Sequence, residues 1–325
     1  MLQVFWQAVA GAALCSWPIY SWLRNNVKQK IDPHAPPGHQ AKQGTPTMGG
    51  LIILAGAVIA LVLNRFREAP FSLGTSLHGG SKAESAHTLD VFLLLLIGFG
   101  MIGFVDDFVV PRMMAGKRGL GWKQKLALEI LVSGIASSMI FPSFGLNWFS
   151  TIFLILFFSN AYNFADGLDG LSGSIWIGLT LGIVGLTTFV DLNLALPMVA
   201  IAGATLVFLG FNAPPAKIFM GDVGSLPLGA VLGAIISVLS MKSDVQVGWL
   251  PILILSLLMI AELVPVPMQV AYFKLTKGKR LFPSTPIHHG FEKKGWPESR
   301  VVWTFALLQL LCSVAAYSIA LGMKQ

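Results

Sequence analysis

Five aspartates stand out in a 325-residue chain that is 54% hydrophobic and only 11% charged: Asp106 and Asp107 in GFVDDF, Asp166 and Asp169 in NFADGLDG, and Asp222 in FMGDVGS. Two histidines, His288 and His289, sit in PIHHGFEKKGW beside further cations. Carboxylates gathered with cations suit a reaction between phosphate-bearing partners. There a divalent ion screens oxygens that otherwise repel, and a Lys or His steadies the departing phosphate. Adjacent carboxylates project about 100° apart on a helix, so Asp106 and Asp107 are expected to divide their roles between a metal or basic partner and proton transfer. Asp166 and Asp169, three apart, are expected on one face of a helical turn, with Gly167 and Gly170 permitting close backbone approach. Asn160 and Asn163 repeat that spacing and offer amides to base edges, sugar hydroxyls or phosphate. Asp222 stands where an apolar run begins; backbone N–H groups there can hold phosphate and the carboxylate a divalent cation.

Each motif has a plainer alternative. Asp106 and Asp107 could be hydrated acids at a helix end, and residues 166–170 a loop of good turn formers. The second alternative explains Gly and Asp but not asparagines within the last turn of an apolar segment. The basic run Arg112, Lys117, Arg118, Lys123 and Lys125 could be ordinary topology charge. MGDVGS matches neither a P-loop nor a dinucleotide fingerprint. Paired histidines without cysteines or an HExxH spacing argue against zinc. Cys15 and Cys312 both fall in apolar runs, so no disulfide framework is indicated.

The elements that carry these residues are apolar runs long enough to cross a ~30 Å hydrocarbon core. The expected fold is all-α: a polytopic membrane protein of about ten transmembrane helices, near 2–22, 46–64, 90–106, 124–143, 147–163, 171–190, 194–211, 224–241, 247–272 and 300–321. No alternating ~10-residue segments of a transmembrane barrel occur. Residues 1–22 lack a basic leader and cleavage site and are expected to stay as the first span. Odd-numbered loops and their flanks carry 17 of the 22 Lys and Arg residues, which makes those loops cytoplasmic and both termini periplasmic or extracellular. The even loops hold Arg65, Arg67, Lys82 and Lys242. KQGTPTMGG and the four segments above all fall on odd loops, so one composite cytoplasmic site is expected within a single domain, 1–325. Its loops lie near 23–45, 106–123, 160–170, 212–223 and 273–299. The net charge of +7 is thus mostly a topology signal. Nucleic-acid binding is disfavoured, because no basic stripe with interleaved aromatics accompanies it.

The segments KQGTPTMGG, GFVDDF, NAYNFADGLDG, FMGDVGSLPLG and PIHHGFEKKGWPE, in order from Lys42 to Arg300, resemble those of the phospho-N-acetylmuramoyl-pentapeptide-transferases. These belong to the polyprenyl-phosphate N-acetylhexosamine-1-phosphate transferase superfamily, glycosyltransferase family 4. The resemblance implies ten transmembrane helices in the bacterial cytoplasmic membrane, an active site on its cytoplasmic face, Mg²⁺ dependence and a homodimer. The implied reaction moves phospho-MurNAc-pentapeptide from UDP-MurNAc-pentapeptide to undecaprenyl phosphate, giving lipid I and UMP for peptidoglycan synthesis. By position, Asp106 and Asp107 match the family's catalytic aspartate pair, one of which is proposed to deprotonate the lipid phosphate. Asp222 matches the magnesium-binding aspartate. Gly167, Leu168 and Asp169 resemble the uridine-binding segment, with Phe219 as the stacking ring. Lys42, Thr47, Lys125, Asn163, Asp166, Asn212 and Gln269 match supporting substrate-binding residues. His288 and His289 match the first two of a catalytic histidine triplet. Two positions depart from the pattern: Val110 replaces the lysine of DDxxK, with Arg112 a neighbour able to substitute, and Gly290 replaces the third histidine.

Two rivals are weighed against this expectation. A sister transferase handling UDP-GlcNAc shares the aspartate motifs but differs around the histidines. An ion-coupled transporter would place acids near the midplane of broken helices, where Glu262 and Glu129 are the candidates.

Overall fold

The computed structural model describes residues 1–27, 42–68, 81–114, 119–241 and 247–323. It is a bundle of helices with no strand among the described residues. In chain order these are α1 (Leu2–Asn26), α2 (Gly50–Glu68), α3 (Ser81–Phe104) and the short α4 (Val110–Met113). Then come α5 (Trp122–Ile140), α6 (Leu146–Ala165), α7 (Leu171–Thr187), α8 (Leu196–Asn212) and α9 (Asp222–Met241). The chain ends with α10 (Trp249–Leu263), α11 (Pro265–Leu275), α12 (Ile287–Lys293) and α13 (Glu298–Gly322).

Seven stretches among the described residues are long and apolar enough to cross a membrane: 50–67, 87–113, 146–165, 192–212, 222–241, 249–275 and 298–322. Three expected spans, on α1, α5 and α7, fall outside that set, and α7 has only 17 residues. The expected span 247–272 is carried by two helices, because Pro265 and Pro267 lack the N–H groups that would continue the ladder of α10.

Helix α9 is the axis of the bundle, with 94% of its apolar window buried. It packs chiefly on α6 and α3, while α1 packs on α2 and α8, and α13 on α7 and α10. Small residues set the α9–α6 contact: a Cβ on Gly229 would lie 2.2 Å from the Phe158 carbonyl oxygen, and one on Gly233 2.4 Å from that of Leu154. Lipid supplies little hydrophobic drive between helices, so such close backbone packing holds them together. It also fixes the height at which Asp222, the first residue of α9, meets the ends of α3 and α6.

Candidate active site

The end of α3 opens into one π-helical turn, Val105–Val109, a local widening of the kind often found at functional sites. It carries Asp106 and Asp107 to the start of α9. The two helices meet closely, since a Cβ on Gly103 would stand 2.4 Å from the Asp222 carbonyl carbon. Carboxylate oxygens of Asp106, Asp107 and Asp222 all lie within 4.8 Å of one another. That convergence is tighter than the angular argument for adjacent helical residues implies. The π turn and an approaching second element bring both members of the pair to one point.

Asp107 Oδ2 accepts from the Asp222 backbone N–H at 2.9 Å, so one free amide at the start of α9 is spent on an aspartate. Lys125, near the start of α5, pairs with the Asp222 carboxylate and lies 3.6 Å from Asp106. Asn163 donates to Asp222 Oδ1 and to Ser225 Oγ, both at 2.8 Å. The Leu120 amide donates to Asp106 Oδ1 at 2.5 Å. An all-oxygen, hard donor set of three carboxylates suits Mg²⁺.

The opening turn of the next wall follows from a helix stop. Helix α6 ends at Ala165, and Gly170, at φ +78°, leads into α7. The intervening residues are turns, not helix, so Asp166 and Asp169 do not share the expected helical face but point to separate partners. Asp166 accepts from Ser172 Oγ at 2.6 Å. Burial pushes its carboxyl up to about 7, against the lowering effect of that hydrogen bond and with the nearby Asp222 charge adding to the rise. Asp169 is buried; Oδ1 accepts from Lys42 Nζ at 2.7 Å and Oδ2 from the Ala216 N–H at 2.9 Å. Lys42 also bonds both oxygens of Glu298, at 2.7 and 2.9 Å, and Glu298 Oε1 takes the Asp169 N–H at 2.7 Å. Burial alone would lower the Lys42 ammonium; its bonds and charge pairing with Asp169 and Glu298 outweigh that and hold it above its ordinary 10.5. Asn212 fastens the same turn, accepting from the Gly170 N–H at 2.9 Å and donating to the Ile218 carbonyl at 2.8 Å.

The histidines close the site. His288 Nδ1 is 2.9 Å from Glu262 Oε2, and His289 Nδ1 is 2.6 Å from Glu292 Oε2. The rings lie 4.2 Å apart, centroid to centroid. Both reach Gly167: a Cβ there would stand 2.3 Å from His288 Nε2 and 3.2 Å from His289 Nε2. Only glycine leaves that space. Thr47 borders the carboxylates, its Oγ1 within 2.9 Å of where a Cβ on Gly221 would be, beside Asp107 Oδ2 at 2.7 Å. The half-buried Phe219 is held by backbone bonds to the same segment, its N–H to Pro46 at 2.8 Å and its carbonyl to Gly49 at 2.7 Å. Leu168 is buried beneath its turn.

Gln269 stands apart from this cluster of contacts, accepting from the Leu281 and Phe282 amides at 3.0 and 2.8 Å and so fastening α11 to the loop before α12. Val110 is buried, and Arg112 lies over the Phe108 ring at 4.3 Å and donates to the Asn26 carbonyl at 3.2 Å. Lys117 and Arg118 lie outside the described residues. At Gly290 a Cβ would meet only the Ser284 carbonyl, at 3.7 Å, so the position has room for a side chain.

Sequence reasoning left three acids unassigned. Glu298 lies in the quoted GWPE and begins a helix, a signal that could have marked it. Glu292 is three residues beyond His289, one helical turn. Glu262 was noticed only as an acid within a span; its partner, 26 residues on, could not be read from spacing.

Comparison with known proteins points to one family. The model of Glycosyl transferase family 4 matches residues 89–241, and Phospho-N-acetylmuramoyl-pentapeptide-transferase signature 1 matches residues 42–54. The Phospho-N-acetylmuramoyl-pentapeptide-transferase of Halalkalibacterium halodurans is 37% identical, over 92% of this chain and 91% of its own. That of Rhodopseudomonas palustris (strain BisB18) is 33% identical, over 91% and 85%. That of Streptococcus pneumoniae (strain Taiwan19F-14) is 38% identical, over 86% of each. With a third or more of the residues shared along nearly the whole chain, and with the signature lying on the Lys42–Gly50 segment that frames the carboxylates, this protein belongs to the phospho-N-acetylmuramoyl-pentapeptide-transferase family.

Proposed function

We propose that the protein transfers phospho-MurNAc-pentapeptide from UDP-MurNAc-pentapeptide to undecaprenyl phosphate, forming lipid I and UMP. The observation that carries this reading is the convergence of Asp106, Asp107 and Asp222, from separate parts of a membrane bundle, beside the turn at Gly167. Two phosphate-bearing reactants repel, and catalysis of phosphoryl transfer is mainly positioning and charge stabilisation. Asp222, with Asp106 beside it, would hold Mg²⁺, which when bound screens the diphosphate oxygens of the donor. Asp107, on the π turn that follows α3, is suited to accept a proton from the lipid phosphate, and direct attack by that phosphate is the favoured course. Lys125 balances the carboxylate charge. The 166–169 turn and Phe219 would hold the uridine, with Lys42, Asn163, Thr47 and Asn212 keeping those parts in place, and the histidine pair would serve the departing phosphate from its exposed member, His289, with the buried His288 behind it.

On this reading α1, α5 and α7 join the seven apolar stretches to give ten spans. The Lys and Arg bias supports a site at the cytoplasmic face with both termini outside. We assign a homodimer on the family resemblance. The test is UMP release by purified protein with undecaprenyl phosphate, Mg²⁺ and, separately, UDP-MurNAc-pentapeptide or UDP-GlcNAc. Turnover with the first donor and not the second is expected; turnover with UDP-GlcNAc alone would replace the assigned donor.

A further inference from the structure

The histidine pair is built from two matching units. In each, Nδ1 meets a glutamate, and in each Nε2 points toward Gly167. A carboxylate on one ring nitrogen fixes both tautomer and orientation, leaving the other nitrogen as the working end. The units differ in access. His288 and Glu262 have no exposed side-chain surface, whereas those of His289 and Glu292 are 31% and 22% exposed. His288 Nε2 lies beneath the Gly167 backbone with no hydrogen-bond partner among the described residues. A ligand in the cleft therefore meets His289 and not His288.

Resting on the transfer reading above, we infer that the two histidines divide their duties. His289 touches the donor through Nε2, and Glu292 is the positioning residue that aims it. His288 with Glu262 is the buried footing on which the Gly167 turn and the His289 ring rest. The ligand chemistry follows from the surroundings. With Nδ1 facing the Glu292 carboxylate, Nε2 is the nitrogen turned to the cleft beside Gly167, and the polar groups that a nucleotide-linked donor brings there are its phosphate oxygens, the partner assigned to His289. The other charged groups in this wall are Asp166, and Lys42 with Asp169 and Glu298, which hold the turn itself.

The test compares Glu292→Gln, Glu292→Asp and Glu262→Gln in the purified full-length protein. Three readouts are taken: steady-state UMP release, the thermal midpoint, and ¹⁵N signals of the His289 ring. Glu292→Gln should lower kcat by roughly 10–100-fold while changing the donor KM less than about 3-fold, with an unaltered midpoint. Its His289 ring signals should move, and Glu292→Asp should restore part of the lost kcat. Glu262→Gln should instead lower the midpoint. A Glu292→Gln enzyme with wild-type kcat, or one whose midpoint falls as far as that of Glu262→Gln, overturns the division. The ring signals separate two failures. A wild type without UMP release removes the transfer reading, whereas unmoved ring signals in Glu292→Gln remove the positioning role whatever the turnover.

Discussion

Gly167→Ala is the smallest change that probes the site as a unit. The added methyl would start 2.3 Å from His288 Nε2 and 2.9 Å from Cε1. Neither side can easily yield: the imidazole is wholly buried and tied to Glu262, and the turn is tied through Asp169, Gly170 and Leu171. Reaching ordinary contact requires about 1 Å of separation, and a misplacement of that size beside reacting groups costs on the order of 10²-fold in rate. Overpacking a tight interior also costs about 1–3 kcal/mol of stability. The assay is UMP release by purified variants, with thermal unfolding in detergent alongside. We expect kcat to fall by roughly 100-fold in a protein that still folds. His288→Ala added to Gly167→Ala should return stability toward that of His288→Ala alone, since the two changes share one contact. A Gly167→Ala enzyme with wild-type kcat and midpoint would refute the tight contact between turn and ring.

Two further outcomes follow from the polar ties. Lys42→Met leaves Asp169 and Glu298 facing each other without their cation, and breaking a largely buried pair costs about 3–5 kcal/mol; a thermal midpoint equal to wild type would show that the clamp is not needed. Asp166, raised from its ordinary 3.8 to about 7, favours the folded state fully only below pH 3.8 and loses that advantage as pH rises through 7. Asp166→Asn should therefore gain stability relative to wild type between pH 4 and 7 and hold a constant lead above that; a pH-independent difference contradicts the buried charge.

Much of the site was legible because its chemistry is local in sequence. The acids, glycines and histidines sit in short polar segments that an apolar bundle has no other reason to contain. What was hidden is of two kinds. The Lys42 clamp joins residues 127 and 256 positions apart, and only folding decides which acids that lysine meets. Local backbone departures were hidden too. The π turn at Val105–Val109 overrides the regular helical angle between Asp106 and Asp107, and the stop at Ala165 separates Asp166 from Asp169. In the fold, long apolar runs gave α2, α6, α8, α9 and α13 closely. The polar first turns of α3 and the seven-residue α12 carry no such periodic signal and were read as loop.

The central claim is that the carboxylates of Asp107 and Asp222, drawn together from two helices, drive the transfer. Its most direct test is UMP release at saturating Mg²⁺ by Asp107→Asn and Asp222→Asn, each shown to be folded by its thermal midpoint. Loss of nearly all turnover in both variants is predicted. Near-normal rates in either one would contradict the claim.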